Sequence, residues 1–312
     1  MWRLSSTSTV RRRLIRLAGF GALFTALWCA GCARPDVAGE PEAPPLRVGF
    51  RPSDTVEDPN IKRYQALARY LEERLKLAVE LVPVAPYGPT IEALRVGSID
   101  MIWLGSLQYL LAEEEGLAQA IVMQVSPEQE VETYHSVFIT HAESKLARLP
   151  TPAEAADLAL VFTDPRSTSG ALVPLRSLEQ LNLSPQDFRS FSYAGNHSLA
   201  ILTVAHREAD LAAVSENRFL SLRADGKITS DALRVIWRSP AIPSGPIAVR
   251  SGLAPTTVAA LKHALEQWKT SAPHAWATFF PEGEDQSRQF APYEPEVHAA
   301  LRQFVHKNPI AP

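Results

Sequence analysis

Strand and helix signals alternate along most of this 312-residue chain, and that alternation predicts an α/β fold of two lobes built on parallel sheets. Three observations carry the prediction. Apolar runs of strand length (46–50, 79–84, 98–104, 158–162) recur between segments with helical periodicity. The alternation occurs in two sets, one over 46–115 and one over 158–224. Between the second set and more β material at 247–249 stands a proline-rich break, Pro240-Ala241-Ile242-Pro243-Ser244-Gly245-Pro246. A single doubly wound domain would alternate in the same way. The break, followed by further α/β material, favours two lobes with crossovers near 125–140 and 238–250.

The first residues stand apart from this pattern. Arg3, Arg11, Arg12, Arg13 and Arg16 form a basic region without an acid, and 17–28 is a short apolar stretch. That layout is a secretory signal rather than a spanning helix, which needs about 20 apolar residues. Cys29-Ala30-Gly31-Cys32 follows, and the small residues ahead of Cys32 resemble the lipobox of bacterial lipoproteins. The resemblance implies cleavage after residue 31 and lipidation of Cys32. The full chain has 31 Lys and Arg against 34 Asp and Glu, a net charge of −3. Loss of 1–31 removes five of those basic residues and no acid, leaving 26 against 34. An exported domain that acidic excludes nucleic acid as a partner. Only Cys32 of the two cysteines would remain, so packing rather than disulfides or thiolate-held metal must stabilise it. Residues 32–45, rich in Pro, Ala and acid, read as an extended tether.

In chain order, 46–50 is a strand and 61–77 an amphipathic helix, with Tyr64, Leu67, Ala68, Leu71 and Leu75 on one face. Strand 79–84 leads to a helix over 89–96, opened by Pro89 and stopped at Gly97. Strand 98–104 turns through Gly105-Ser106 into a helix over 107–115. Two β-like runs, 120–125 and 134–140, flank a polar turn at 126–132. The second set comprises strand 158–162, helix 168–181, strand 189–194, helix 196–206, strand 210–214 and a helix near 216–224. Strand 233–237, the proline-rich break, β residues 247–249, a helix over 256–268 and a last helix over 295–305 complete the chain.

In parallel α/β sheets ligands bind at the carboxyl ends of strands, and here those ends are rich in hydroxyl groups. Gly105-Ser106 follows one strand, Ser167-Thr168-Ser169 another, and Gly195-Asn196-His197-Ser198 a third. Ser and Thr favour helix N-caps, but three in a row exceed what one cap needs. Helix N-termini supply free N–H groups and a positive dipole end, so hydroxyls there add donors to an anion site. Tyr87 adds a phenol, and His197 could donate to an oxyanion or accept from a protonated one. The set predicts a pocket of neutral donors that needs no lysine clamp.

Several of these residues lie in segments that resemble one family. Asp164-Pro165-Arg166-Ser167-Thr168-Ser169-Gly170 is similar to the D-P-x-S-T-S-G run of PhnD-like proteins, the phosphate-, phosphite- or phosphonate-binding components of ABC importers. Tyr87 with Ile91-Glu92-Ala93-Leu94-Arg95, the block 100–109, Gly195-Asn196-His197 and the segment 237–246 follow in the family's order across roughly 46–270. The resemblance implies a type II periplasmic-binding-protein fold, two α/β lobes joined by a two-segment hinge with an oxyanion in the cleft. One lobe would comprise 46–128 plus 245–312 and the other 129–244. By the same resemblance the ligand-binding positions are Tyr87, Ser167, Thr168, Ser169 and His197, with Ser106 and Tyr109 in the first-lobe turn. There the family often reads G-P-x-S-Y, and this chain reads Gly105-Ser106-Leu107-Gln108-Tyr109. Aminoethylphosphonate binders of the family carry carboxylates where this chain has Ser215-Glu216-Asn217 and Ser244-Gly245. That departure points to phosphate, phosphite or a small alkyl phosphonate, with an aminophosphonate or another small anion as the alternative.

No P-loop, Gly-x-Ser-x-Gly elbow or cluster of metal ligands occurs in the sequence, which argues against an enzyme. The remaining reading is a monomeric, membrane-anchored lipoprotein of the periplasm or cell envelope that needs no cofactor. It would deliver its ligand to an inner-membrane ABC permease, or signal to a membrane sensor instead.

Overall fold

Neighbouring residues of each apolar run bury on opposite faces of a sheet, so these strands are covered on both sides. A computed structural model of the protein describes residues 44–52, 59–229, 231–280 and 287–307. The leader, Cys32 and the tether up to residue 43 lie outside the described residues. The first set forms β1 (Leu46–Phe50), α1 (Pro59–Leu75), β2 (Val79–Pro83), α2 (Gly88–Arg95), β3 (Met101–Trp103), α3 (Ser106–Glu114) and β4 (Ala118–Val125). The second forms β5 (Thr133–Tyr134), β6 (Ser136–His141), α4 (Pro152–Ala155), β7 (Ala159–Phe162), a π-helical turn (Thr168–Leu172), α5 (Val173–Glu179), β8 (Ser190–Tyr193), α6 (His197–Ala205), β9 (Leu211–Ser215), α7 (Glu216–Ala224) and β10 (Leu233–Arg238). The chain continues through β11 (Ile242–Pro243), β12 (Ile247–Arg250), α8 (Pro255–Ser271), α9 (Pro273–Phe279), β13 (Gln289–Pro292) and α10 (Ala299–Lys307).

Two sheets result, in the orders β13-β4-β12-β3-β1-β2 and β10-β6-β9-β7-β8. In the first, Leu46, Val48 and Met101 pack towards α1, α8 and α9 through Leu67, Leu261, Trp268 and Trp276. Ile102 and Leu104 point the other way, to Leu94 of α2 and Leu107 and Leu110 of α3. In the second, Val137 and Ile139 face α6 and α7, whereas Phe138 between them faces the side of Leu178 in α5. Alternation along a strand thus builds an apolar layer on each face.

The sheets are mixed rather than purely parallel. Strands β2-β1-β3 and β8-β7-β9 are parallel as expected. However, β12 runs antiparallel to β3, and β6 antiparallel to β9. Both strands enter their sheet from the hinge, so each starts at the edge where the parallel strands end and must run against them. The two connecting segments, 126–135 and 239–246, lie side by side and pair through β5 and β11, with Ile242 opposite Tyr134. The chain adopts the type II periplasmic-binding-protein fold, two α/β lobes joined by two hinge segments.

Gly245 lets the returning segment approach the first sheet. The Trp103 indole N–H donates to its carbonyl at 2.8 Å, and Leu104 N–H donates to Pro246 at 3.0 Å. A Cβ at Gly245 would lie 2.0 Å from the Leu104 carbonyl oxygen and 2.8 Å from Ser106 N. Both contacts are with backbone, which cannot rotate away. Gly245→Ala is therefore expected to cost about 1–3 kcal/mol of folding stability, as overpacking does, measured by denaturant unfolding. Unchanged stability would show that the hinge gives way freely.

Candidate functional site

Six strand ends from two lobes converge on one cleft of about 500 Å³. Arg51 follows β1, Tyr87 follows β2, and Gly105 with Gln108 follows β3. From the second lobe come the residues after β7, the turn at Asn196 and His197 after β8, and Ser215 with Asn217 and Arg218 from the end of β9 and α7. Carboxyl strand ends and the first turns of the following helices are where α/β sheets bind ligands.

The three hydroxyls after β7 open a π-helical turn. Ser167 caps it, its Oγ accepting from Gly170 N–H at 2.9 Å, and Leu172 N–H donates back to the Ser167 carbonyl at 3.0 Å. Thr168 Oγ1 accepts from Leu107 N–H of α3 at 3.0 Å, a hydrogen bond from one lobe to the other. Backbone N–H groups thus occupy an acceptor site on each of these two oxygens, leaving the hydroxyl hydrogens for the cleft side. There Ser167 reaches the Tyr87 phenol, while Thr168 and Ser169 reach that of Tyr134.

His197 is the N-terminal residue of α6, whose free N–H groups are capped by Asn196 through Leu199 N–H. Its Nδ1 accepts from Ser215 N–H at 3.1 Å and lies 2.9 Å from Thr163 Oγ1. A ring nitrogen that accepts from a backbone amide carries no proton in the neutral ring, so the hydrogen sits on Nε2. Nε2 is 3.3 Å from the Tyr87 hydroxyl, a second contact between lobes. Burial pushes the ring's pKa from 6.5 down to about 3, and Arg51 and Arg218 push in the same direction. The histidine is therefore a neutral N–H donor at physiological pH.

Tyr87 is held at φ 62° and ψ −110°, a backbone conformation that costs a non-glycine residue about 1–3 kcal/mol. Thr90 and Ile91 N–H donate to its carbonyl at 3.1 and 3.2 Å, anchoring it as α2 begins. Burial raises its hydroxyl pKa to about 12, against opposing effects of Ser167 and Arg51. It stays protonated and able to donate.

Ser106 and Tyr109 are not in this cleft wall. The Ser106 hydroxyl donates to the Pro243 carbonyl at 2.6 Å, tying α3 to the hinge. Tyr109 donates to Glu113 at 2.6 Å and packs edge-on against Tyr293 at 5.1 Å. Of the two residues between them, Gln108 faces the cleft, with Oε1 3.4 Å from Arg51 and Nε2 3.4 Å from the Tyr87 carbonyl. One helical step separates the two directions.

The neutral-donor expectation also needs correcting. Arg51, Arg166 and Arg218 all line the cleft, and no carboxylate is among its described lining residues. Arg51 donates to the Trp103 carbonyl at 2.9 Å, and Arg218 Nε donates to Ser198 Oγ at 2.8 Å. Each arginine lies in a loop or first helical turn after a strand, the same signal that marked the hydroxyls. Glu216 is turned away: both of its oxygens accept from Arg238 at 2.8 Å. Gly245 has no room for a side chain. Among the described residues no group of His, Cys, Asp and Glu is placed to hold a metal ion.

The family model described as ABC transporter, phosphonate, periplasmic substrate-binding protein matches residues 52–290. The chain belongs to this family. It is 27% identical over 237 residues to the phosphonates-binding periplasmic protein of Escherichia coli K12, covering 75% of this chain and 69% of that protein. The phosphate-import protein PhnD of Mycolicibacterium smegmatis is 23% identical over 251 residues, 77% of each chain. Among solved structures, PhnD1 of Prochlorococcus marinus in complex with methylphosphonate superposes with a TM-score of 0.68 at 21% identity. That match covers 84% of this chain and 97% of the other. Family membership makes the protein a periplasmic substrate-binding component of an ABC transporter, and among the described residues no helix is long and apolar enough to cross a membrane.

Gly170 keeps the cradle and His197 in register, because a Cβ there would meet Thr163 Cβ and Oγ1 at 2.2 Å. Gly170→Ala is expected to displace Thr163 from His197 and to destabilise the fold by about 1–3 kcal/mol; thermal and denaturant melts check it, and wild-type stability would refute it. His197 supplies a second test, an NMR titration of its ring. Its folded pKa lies below the unfolded value of 6.5. The stability it contributes is therefore complete above about pH 6.5 and declines as pH falls towards 3. The ring signal should show no step near 6.5, and a midpoint there would overturn the neutral assignment.

Proposed function

We propose that this protein binds a phosphorus oxyanion (phosphate, phosphite or a small phosphonate) between its lobes and delivers it to an inner-membrane ABC permease. The observation that carries the reading is the convergence of oriented donors. The hydroxyls of Ser167, Thr168, Ser169, Tyr87 and Tyr134 and the Nε2–H of His197 all border one cleft, and arginines supply the charge. A tetrahedral oxyanion presents several acceptor oxygens in fixed directions, and donors held in advance by backbone amides meet them with little ordering cost. The names of the relatives, phosphonate and phosphate binders, support the same class of ligand.

In this reading the lobes, 46–128 plus 245–312 and 129–244, close about the hinge on the ligand. Two hydrogen bonds that cross the cleft, Thr168 to Leu107 and Tyr87 to His197, lie where closure brings donors from both sides together. Among the described lining residues no group is set to attack or to transfer a proton, since His197 is neutral and its Nδ1 is occupied; in this reading the protein binds without reaction. Lipidation at Cys32 after removal of 1–31 would tether the monomer near its permease. The absence of a carboxylate among the described lining residues argues against a ligand ammonium group.

Calorimetric titration with phosphate, phosphite, methylphosphonate and 2-aminoethylphosphonate tests the proposal. At least one of the first three should bind, and Ser167→Ala combined with Thr168→Ala should weaken it by about tenfold or more, as loss of charge-assisted hydrogen bonds does. Binding of none of the four, or no effect of the double substitution, would sink the oxyanion reading. A preference for 2-aminoethylphosphonate would reverse the choice among phosphonates.

A further inference from the structure

Two segments of backbone join the lobes, and the C-terminal helix adds a bridge made of side chains. We infer that α10 is a strap that holds the lobes in the closed arrangement and so sets, from outside the cleft, how tightly the cleft keeps its ligand. The effect on the ligand rests on the oxyanion reading above; the strap itself does not.

The strap is anchored on the first lobe. Arg302 of α10 donates to Glu113 of α3 at 2.7 Å, and Tyr109 donates to the other oxygen of the same carboxylate at 2.6 Å. His298, wholly buried just before α10, meets the Tyr293 hydroxyl 3.1 Å from its Nδ1 and the backbone of Ser244 in the hinge. Tyr293 in turn packs edge-on against Tyr109. Since Ser106 already ties α3 to the Pro243 carbonyl, α10, α3 and this hinge segment move as one body.

From that base α10 reaches the second lobe. Phe304 lies under the guanidinium of Arg176 in α5, with Cζ 4.8 Å from the ring centre. Leu172, the last residue of the hydroxyl turn, is buried in the same apolar cluster as Val305 of α10 and Leu107 and Leu110 of α3. The turn that carries Ser167, Thr168 and Ser169 into the cleft thus has its other end in the cluster that α10 covers. Arg176 also stands 4.0 Å from Glu179 on its own helix, a contact that travels with the second lobe. Neither Arg176 nor Phe304 is among the described lining residues of the cleft.

These contacts coexist with the pairs Tyr87–His197 and Thr168–Leu107, where the walls of the cleft meet. A rotation that parts Tyr87 from His197 also carries α5 away from α10, because α5 belongs to the second lobe and α10 to the first. A cation over an aromatic face and shared apolar burial both favour the arrangement in which the helices touch. Apparent affinity scales with the fraction of molecules already in the binding-competent form. A weaker strap therefore loosens every ligand by one factor.

Phe304→Ala and Arg176→Gln in the purified protein test the strap. Small-angle X-ray scattering without ligand should give each variant a larger radius of gyration than the wild type. Titration with phosphate, phosphite and methylphosphonate should show those that bind weakened about threefold or more, all by the same factor. The double variant should lose less than the two single losses combined, since both remove one contact. Arg176 is more than half exposed, so its variant decides the matter if Phe304→Ala fails to fold. An unchanged or smaller radius, unchanged or tighter binding, or a loss confined to one ligand would overturn the strap and leave the oxyanion site intact. If none of the three ligands binds the wild type, the oxyanion reading falls, and the radius of gyration alone decides the strap.

Discussion

Thr163, wholly buried at the end of β7, is the joint on which the cleft depends. Its N–H donates to the Gly170 carbonyl at 2.9 Å, which fixes the hydroxyl turn. Its carbonyl accepts from Gly195 N–H at 2.7 Å, which fixes the turn before His197. Its hydroxyl lies between the Ala213 carbonyl of β9 at 3.1 Å and His197 Nδ1 at 2.9 Å. One residue thus sets the register among three strand ends, and the two halves of the anion cradle move as a unit. Because its side chain fills the space over Gly170, turn, histidine and strand cannot be altered independently.

Local charge in this protein runs against global charge. The chain carries more acid than base, while the described cleft lining contains three arginines and no carboxylate. A cationic cleft on an acidic body focuses field lines at one place and leaves the rest of the surface unattractive to polyanions. Burial, with help from Arg51 and Arg218, holds His197 neutral, so charge and hydrogen-bond direction are set by one arrangement. Protonated histidine would add a fourth cation. Neutral, with Nδ1 engaged by Ser215, it adds a directed donor.

The fold was largely legible in the sequence because alternation and strand length are strong signals in buried parallel strands. The hydroxyl wall of the cleft was legible because three adjacent hydroxyls at a strand end exceed the needs of a cap. What could not be read was side-chain direction in the first turn of α3. Ser106 and Tyr109 lie three residues apart, on the face that meets the hinge and Tyr293, and Gln108 lies about 100° round the helix on the cleft face. No local pattern distinguishes those faces, since both are buried. The arginines at the cleft were hidden for a different reason. Hydroxyls at strand ends suggested a neutral site, and charge at the same positions resembles ordinary solvated surface. The antiparallel members of each sheet were hidden because strand direction depends on where a crossover enters, which is a property of the whole chain.

The π-helical turn explains how three consecutive hydroxyl residues can line one cleft. In an α-helix successive residues are rotated by about 100°, so three in a row fan out over most of a turn. Bonds from residue i+5, such as Leu172 N–H to the Ser167 carbonyl, widen the turn and are poorer in isolation, which is why such turns are short and concentrate at functional sites. Here the surroundings hold it. Ser136 donates its hydroxyl to the Ser169 carbonyl at 2.6 Å, Ser167 caps Gly170, and Thr163 donates to the Gly170 carbonyl. Ser136 stands where β6 leaves the hinge. The geometry of the turn therefore depends on the strand that carries the chain from one lobe into the other, through the same hydrogen bond that secures the turn to the start of that strand.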